Sequence, residues 1–501
     1  MNRIAQVLIN SLSNYGRFFL SILIMGVLTP YIVEKLGADD FGLWSLTLSF
    51  LGFFSLLDLG LGAAVVKYVA ECRGAREHDR RNEIVSTLFV AYLGLALLSA
   101  LALAALTPFY PTIMSLPTEG REQAILLLWL MAFRLVFVPL PMGLYRSVLH
   151  GEQKFYSTNM AQVVSLVIYG VGSYLVLERG GDLIDLALVQ IASMVVEYAA
   201  YWYLSLRSVE DLKIRFSLAS RGVLKEVWGF SSAALFVNLA GLILLRTDPL
   251  IIKLYLPLAA VAVYAVALKV AEALLMLLKQ FINVLGPLIA ELKGEGETEK
   301  IKFIFLNCTR FALAPGLAAG LFLIYFAEPL LRLWVGPEFG TGGRVLQILV
   351  VSVLLSVPQM IASNVLAMTG YHKVTAGAAG QSAAINVVLS LLLVGPMGLE
   401  GVALATLIAT LIVDIVVVLR AACSLYSVTL PGYLRRVVLP LALPSLLQLG
   451  ALYGVSLLDL DNLLGLLLWG GATAVLFLIA FGIFSLEKSE LDLIKKKVRR
   501  R

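Results

Sequence analysis

The chain has 501 residues, of which 60% are hydrophobic and 14% charged, and its mean hydropathy is +0.90. Soluble domains carry roughly 25% charged residues, so the composition excludes one and selects a membrane protein. The formal charge of +6 needs no nucleic-acid partner, because the Lys and Arg of a polytopic protein gather in its cytoplasmic loops.

A span needs about 20 apolar residues, and fourteen such stretches can be read between short polar breaks. In hydrocarbon every backbone polar group must be satisfied internally, and barrel strands alternate. Continuous runs of this length are therefore helices, and the expected fold is all-α and polytopic. Span 1 (12–34) carries Asn14, Arg17 and Ser21 on one polar stripe, with Pro30 near its end. Span 2 (42–67) is interrupted by Asp58, span 3 (85–107) is uncharged, and span 4 (123–147) has Arg134 near its middle, then Pro139 and Pro141. Span 5 (158–178) precedes span 6 (184–206), which contains Glu197. Span 7 (227–252) holds Arg246, Asp248 and Pro249, and span 8 (259–287) holds Lys269, Glu272, Lys279 and Asn283 at helical spacings, then Pro287. Spans 9 (303–327), 10 (344–368) and 11 (375–397) include Pro315 and Pro358. Span 12 (400–420) carries Asp414, and spans 13 (437–457) and 14 (463–485) follow.

The chain repeats itself at an offset of about 220. Pro30 meets Pro249, Ala70 to Gly74 meet Ala290 to Gly294, and Pro139, Gly151, Lys154 and Gln162 meet Pro358, Gly370, Lys373 and Gln381. Each half holds six spans, an even number, so both enter from the same side. Such halves are related by an axis along the membrane normal and rock about a central site in alternating access. The expected organisation is an N-lobe over 1–206, a cytoplasmic linker over 207–220, a C-lobe over 221–420 and an accessory pair of spans with a basic tail over 421–501. Spans 13 and 14 stand outside the repeat, free to pack on a lobe, line a groove for a lipid tail or contact another protein. Pro30 with Pro249, and Pro139 with Pro358, are expected at shared bends, since proline kinks a helix or removes one of its bonds.

With the N-terminus inside, about 25 of the 39 basic residues fall in cytoplasmic segments and about 6 in external ones, which puts both termini in the cytoplasm. The runs Arg73 to Arg81, Arg207 to Lys225 and Lys495 to Arg501 dominate that count, and the last can also rest on anionic headgroups. Cys72, Cys308 and Cys423 imply no disulfide framework. The first apolar stretch runs on to Glu34 without a small-residue cleavage site, so it is expected to remain as a span. No phosphate-cradling Gly-rich loop occurs, so no ATP hydrolysis and no cofactor are expected. His78, His150 and His372 lie apart without metal-ligand spacing and are expected to be solvated loop residues. The outer loops 107–122 and 328–343 are too short for a catalytic domain, and an enzyme is not expected.

Charge inside a bilayer costs several kcal/mol by most scales and marks a functional candidate. Arg17, Arg246, Lys269 and Lys279, with Asn14 and Asn283, come from spans 1, 7 and 8, at equivalent places in the repeats, and are expected to line a central cationic cleft. Cations meeting there suit an anionic substrate. Asp58, Glu197, Asp248, Glu272, Asp414 and Arg134 are candidates for ion coupling or for structural pairing. Lys269 and Glu272, three apart, can neutralise each other, and Asp58, Glu197 and Arg134 can form a cluster within the N-lobe.

The segment Phe53-Phe54-Ser55-Leu56-Leu57-Asp58-Leu59-Gly60-Leu61-Gly62, followed by Lys67-Tyr68-Val69-Ala70-Glu71, resembles the helix 2 signature of the Wzx-type oligosaccharide flippases. These belong to the multidrug/oligosaccharidyl-lipid/polysaccharide (MOP) superfamily. Gly37-Ala38-Asp39-Asp40-Phe41-Gly42-Leu43-Trp44-Ser45 fits the same family's first external loop. The resemblance covers the whole length and carries over Asp58 and Gly60 as motif residues. It implies a MATE-like fold and a cargo of sugar on a polyprenyl (pyro)phosphate, turned from the cytoplasmic to the outer leaflet for cell-surface polysaccharide assembly. The expected setting is the cytoplasmic membrane, beside a polysaccharide polymerase or glycosyltransferases. Lipid II flippases share the architecture and a cationic cavity. Cation-coupled multidrug antiporters of the superfamily would favour a carboxylate-rich cavity, and a structural subunit recruiting a polymerase is the non-transport alternative.

Overall fold

The structure is a computed structural model that describes residues 3–114, 116, 118, 120–227, 246–282, 285–458 and 460–486; every regular element among them is a helix. The chain divides into two compact units, Met1–Ala262 and Val263–Arg501. The long helices that begin in the first are α1 (Arg3–Leu36), α2 (Ala38–Gly52), α3 (Leu61–Ala75), α4 (His78–Leu106), α5 (Arg121–Ala132), α6 (Pro139–Gly151), α7 (Phe155–Glu178), α8 (Leu183–Ser208) and α9 (Leu258–Ile282), which runs on into the second. The second continues with α10 (Thr298–Tyr325), α11 (Gly343–Met368), α12 (His372–Ala409), α13 (Leu439–Ser456) and α14 (Leu463–Phe484).

Eleven helical stretches among the described residues are long and apolar enough to cross a bilayer, so this is a multi-pass membrane protein. The three further spans expected from sequence fall at identifiable places. Span 2 is split into α2 and α3 at Phe53–Gly60. Most of span 7 lies outside the described residues. Spans 11 and 12 form one 53-residue stretch, Lys373–Leu425, which turns at Gly398 with φ 58 and ψ −135. Only glycine reaches that conformation without a steric cost. Asn386 Nδ2 ties the two arms, donating to Thr406 Oγ1 at 2.9 Å.

The sequence repeat is visible in helix boundaries. His78–Leu106 and Thr298–Tyr325 start 220 residues apart and end 219 apart. Pro30 and Pro358 sit inside α1 and α11, Pro249 is buried in a helical stretch, and Pro139 opens α6.

In the first unit α7 packs between α1 and α8, and α6 against α3, α4 and α8. Outward faces stay apolar: Leu97, Leu98 and Leu101 of α4 are exposed, as a lipid-facing surface requires. In the second unit α13 and α14 pack on α10. Gln448 Nε2 donates to the Ala318 carbonyl at 2.7 Å, and Phe311 and Phe481 meet edge to face at 5.9 Å. A Cβ on Gly470 would lie 2.3 Å from the Phe322 ring, so glycine sets that approach.

Candidate functional site

Two breaks in helices shape a polar cavity in the first unit. The first follows α2, where a tight 3-10 turn runs from Phe53 to Asp58 and Leu59 and Gly60 take φ of 52° and 74°. Two successive left-handed residues end a right-handed helix, and a leucine there is strained. Asp58 is held at the break by the Tyr92 hydroxyl, which donates to Oδ1 at 2.6 Å. The second break is a π-helical turn, Phe133–Phe137, between α5 and α6. Pro139 lacks an N–H and its ring crowds the carbonyl four residues back. The Val138 amide reaches instead to the Phe133 carbonyl at 3.2 Å. Arg134 sits on this wide turn, a local geometry frequent at functional sites.

Between the breaks lies a cavity of about 330 Å3 whose polar lining is Asp58, Tyr92, Arg146, Ser147, His150 and Tyr198. These groups converge: a Cβ on Gly62 would stand 3.5 Å from Ser147 Oγ and Tyr92 Oη and 3.6 Å from Asp58 Oδ1. Arg17 of α1 lies close enough to Arg146 for like charges to repel, and within electrostatic reach of Tyr201 and Glu197. Arg134 is in reach of Tyr169, Glu197 and Tyr198.

The charges here form no ion pair among the described residues. Glu197 accepts the Tyr201 hydroxyl at 2.6 Å and Asp58 accepts that of Tyr92, so each carboxylate has a tyrosine partner. Arg17, Arg134 and Arg146 make no ion pair among the described residues. The Nε atoms of Arg17 and Arg134 are buried without a hydrogen-bond partner. Both side chains are half-buried; a buried N–H left without an acceptor costs about 1–3 kcal/mol, and an anion entering the site would lower that cost. Among the described residues Asp58, Glu197 and Arg134, considered from sequence as an N-lobe cluster, make no ion pair with one another, although Arg134 lies within electrostatic reach of Glu197.

Arg246 lies beside the end of α2. A Cβ on Gly52 would meet its Cγ at 3.0 Å and its Nε at 3.2 Å, so Gly52 makes room for the side chain; Asp248, two residues on, is buried. Asn14 accepts the Asn159 Nδ2 at 2.6 Å, which ties α1 to α7. In the second unit Lys269 is half-buried with Glu272 as its charged neighbour, and Lys279 is exposed. Asp414 lies on another π-helical run, Thr410–Leu419. Asn283 lies outside the described residues.

One expectation needs correction. His150 is not a solvated loop residue: it closes α6, lines the cavity, sits 3.1 Å from Thr158 Oγ1 and stacks on Phe155 at 4.6 Å. Arg146 and Tyr92 were also missed from sequence. Gly143, Arg146, Ser147 and His150 follow i, i+3, i+4, i+7 spacing, one helix face, and that pattern was the available signal.

The polysaccharide biosynthesis protein family model matches residues 4–293, and the MatE model matches residues 233–392. The uncharacterized membrane protein EpsK of Bacillus subtilis is 25% identical over 441 residues, 86% of this chain and 85% of that protein. The "Probable low-salt glycan biosynthesis flippase Agl15" of Haloferax volcanii is 23% identical over 260 residues, covering 52% of this chain and 54% of that protein. Among solved structures, the lipid II flippase MurJ in an inward closed conformation superposes with a TM-score of 0.74 at 16% identity, over 97% of this chain and all of that one. The fold is thus that of the MOP transporters, and since the family match extends over more than half its length, the chain belongs to the polysaccharide biosynthesis protein family.

Proposed function

We propose that this protein flips a polyprenyl-(pyro)phosphate-linked oligosaccharide from the cytoplasmic to the outer leaflet by alternating access, for cell-surface polysaccharide assembly. The observation that carries the reading is the excess of positive charge at and beside the cavity, where Arg17, Arg134 and Arg146 outnumber Asp58 and Glu197 and none of the three makes an ion pair among the described residues. A pyrophosphate and its sugars cannot cross hydrocarbon unaided; guanidinium groups hold phosphate oxygens two at a time. Membership of the family and the glycan-flippase name of one relative support the cargo class. A drug antiporter, the reading favoured by the MatE match, would need carboxylates in excess of arginines to hold a cation, the reverse of the balance here. Lobes over 1–206 and 221–420 would rock about the site, with Arg246, Lys269 and Lys279 adding to its positive charge, Pro30, Pro249, Pro139 and Pro358 as bends, and 421–501 as the accessory pair. A polymerase or glycosyltransferase would be the partner that uses or supplies the cargo.

The test is reconstitution of the purified chain in liposomes loaded with a lipid-linked oligosaccharide. Transfer between leaflets is expected without ATP. An ATP hydrolysis rate that scales with this protein would overturn the energetic part, and failure to move the cargo while moving cationic drugs would overturn the substrate class.

The proposed sidedness places both termini and the 207–220 linker in the cytoplasm. Native thiols are poor reporters of it, since Cys72 and Cys423 are buried and burial pushes the Cys72 thiol up, which slows thiolate chemistry. Glu210, in the linker just ahead of Leu212, is exposed. The Glu210→Cys variant is expected to react with a membrane-impermeant maleimide only from the cytoplasmic face, and labelling from outside would invert the topology.

A further inference from the structure

The segment after α8 is fixed to α4 by a ladder of side chains. Arg81 Nη2 donates to the Glu210 carbonyl at 2.5 Å, and Asn82 donates to the Asp211 carbonyl at 2.7 Å while accepting from the Lys213 amide at 3.2 Å. Ser86 Oγ accepts from the Arg215 amide at 3.1 Å, and Thr87 Oγ1 from the Ser220 amide at 3.0 Å. The four α4 side chains act as a surrogate strand, satisfying linker backbone groups that a membrane environment would leave unpaired.

This pairing sets the depth of the linker. The last charged residue on α4 is Glu83, and none follows from Ile84 to Leu106. The linker climbs past that boundary, and Phe216 stands 6.4 Å from Phe89 in an edge-on ring contact, inside the apolar zone. Yet Phe216 remains 69% exposed, with Leu218 and Leu224 also exposed. From Leu212 to Lys225 there are four basic residues and no acidic one, and Lys213, Arg215, Arg221 and Lys225 are all exposed. Apolar side chains at interfacial depth, flanked by outward cations, are the pattern of a segment lying in a headgroup layer.

We propose that Leu212–Lys225 is a lipid-binding strap: Phe216 and Leu218 enter the acyl boundary of the leaflet, and Lys213, Arg215 and Arg221 hold the phosphates of anionic phospholipid. The inference uses the multi-span reading but not the cargo, so it fails or survives separately from flipping.

The full chain carrying Phe216→Trp is reconstituted in bilayers of equal phosphatidylglycerol and phosphatidylcholine, with bromine on the acyl chains of one lipid or the other. The added tryptophan fluorescence should be quenched more by brominated phosphatidylglycerol. Adding Lys213→Gln, Arg215→Gln and Arg221→Gln should reduce that preference, by about fivefold for each charge whose attraction to the surface is lost. Equal quenching by the two lipids overturns the proposal. Absence of quenching by either also overturns it and would leave the basic face to an acidic protein surface. Should the glutamine variant fold poorly, the lipid preference of Phe216→Trp alone decides.

Discussion

Alanine at Arg17 or Arg246 is expected to abolish cargo transfer while folded protein remains in the membrane. Each arginine can make two charge-assisted hydrogen bonds to phosphate. Losing them removes about 3 kcal/mol, equivalent to about a hundredfold in binding. The structural penalty should be small, because neither guanidinium makes an ion pair among the described residues, so its loss leaves no carboxylate stranded. Lysine should restore only part of the activity, since it offers a point charge rather than a planar fork, and glutamate should be worse than alanine through repulsion. Arg146→Ala is expected to behave similarly, because that side chain lines the cavity beside Ser147 and His150. A transport or complementation assay paired with thermal unfolding of each variant decides the matter. Normal transport by the alanine variants, or loss of activity only through unfolding, would return these arginines to a structural role.

Spans, charges and the internal repeat were legible because they are one-dimensional properties: hydropathy reads along the chain, and the repeat reads as an offset. The breaks were only half legible. Asp58 and Pro139 were visible as interruptions, but the left-handed pair Leu59 and Gly60 and the π turn at Arg134 are backbone geometries without a composition signature. Charge partners were the least legible. A buried Asp or Glu invites a search for Lys or Arg, whereas Asp58 and Glu197 found tyrosines from α4 and from the same helix, respectively. Tyrosine is enriched at membrane–water interfaces because its ring is amphipathic, so its presence in a span does not tell a hydrogen-bonding Tyr92 from an interfacial one. That substitution of partners leaves Arg17, Arg134 and Arg146 without an ion pair among the described residues, which is the ground on which they are proposed as ligands for an anion.

The motif around the first loop carries the second large effect. Phe41, Leu43 and Trp44 are buried, and between them Gly42 abuts the start of α9: a Cβ there would stand 2.2 Å from the Leu258 carbonyl oxygen and 2.8 Å from its carbon. Backbone cannot move aside as a side-chain tip can, so Gly42→Ala must push α2 and α9 apart. Overpacking of this kind costs about 1–3 kcal/mol and at times more, enough to lower the yield of folded protein and its unfolding temperature in detergent. Gly94, on the exposed face of α4, supplies the contrast, because a Cβ there meets nothing within 4 Å. Gly94→Ala should be neutral or stabilising by up to about 1 kcal/mol, the difference in helix propensity. The pair separates a steric requirement from a general intolerance of added methyl groups. If Gly42→Ala unfolds at the temperature of Gly94→Ala, the close approach of α2 to Leu258 does not hold this unit together.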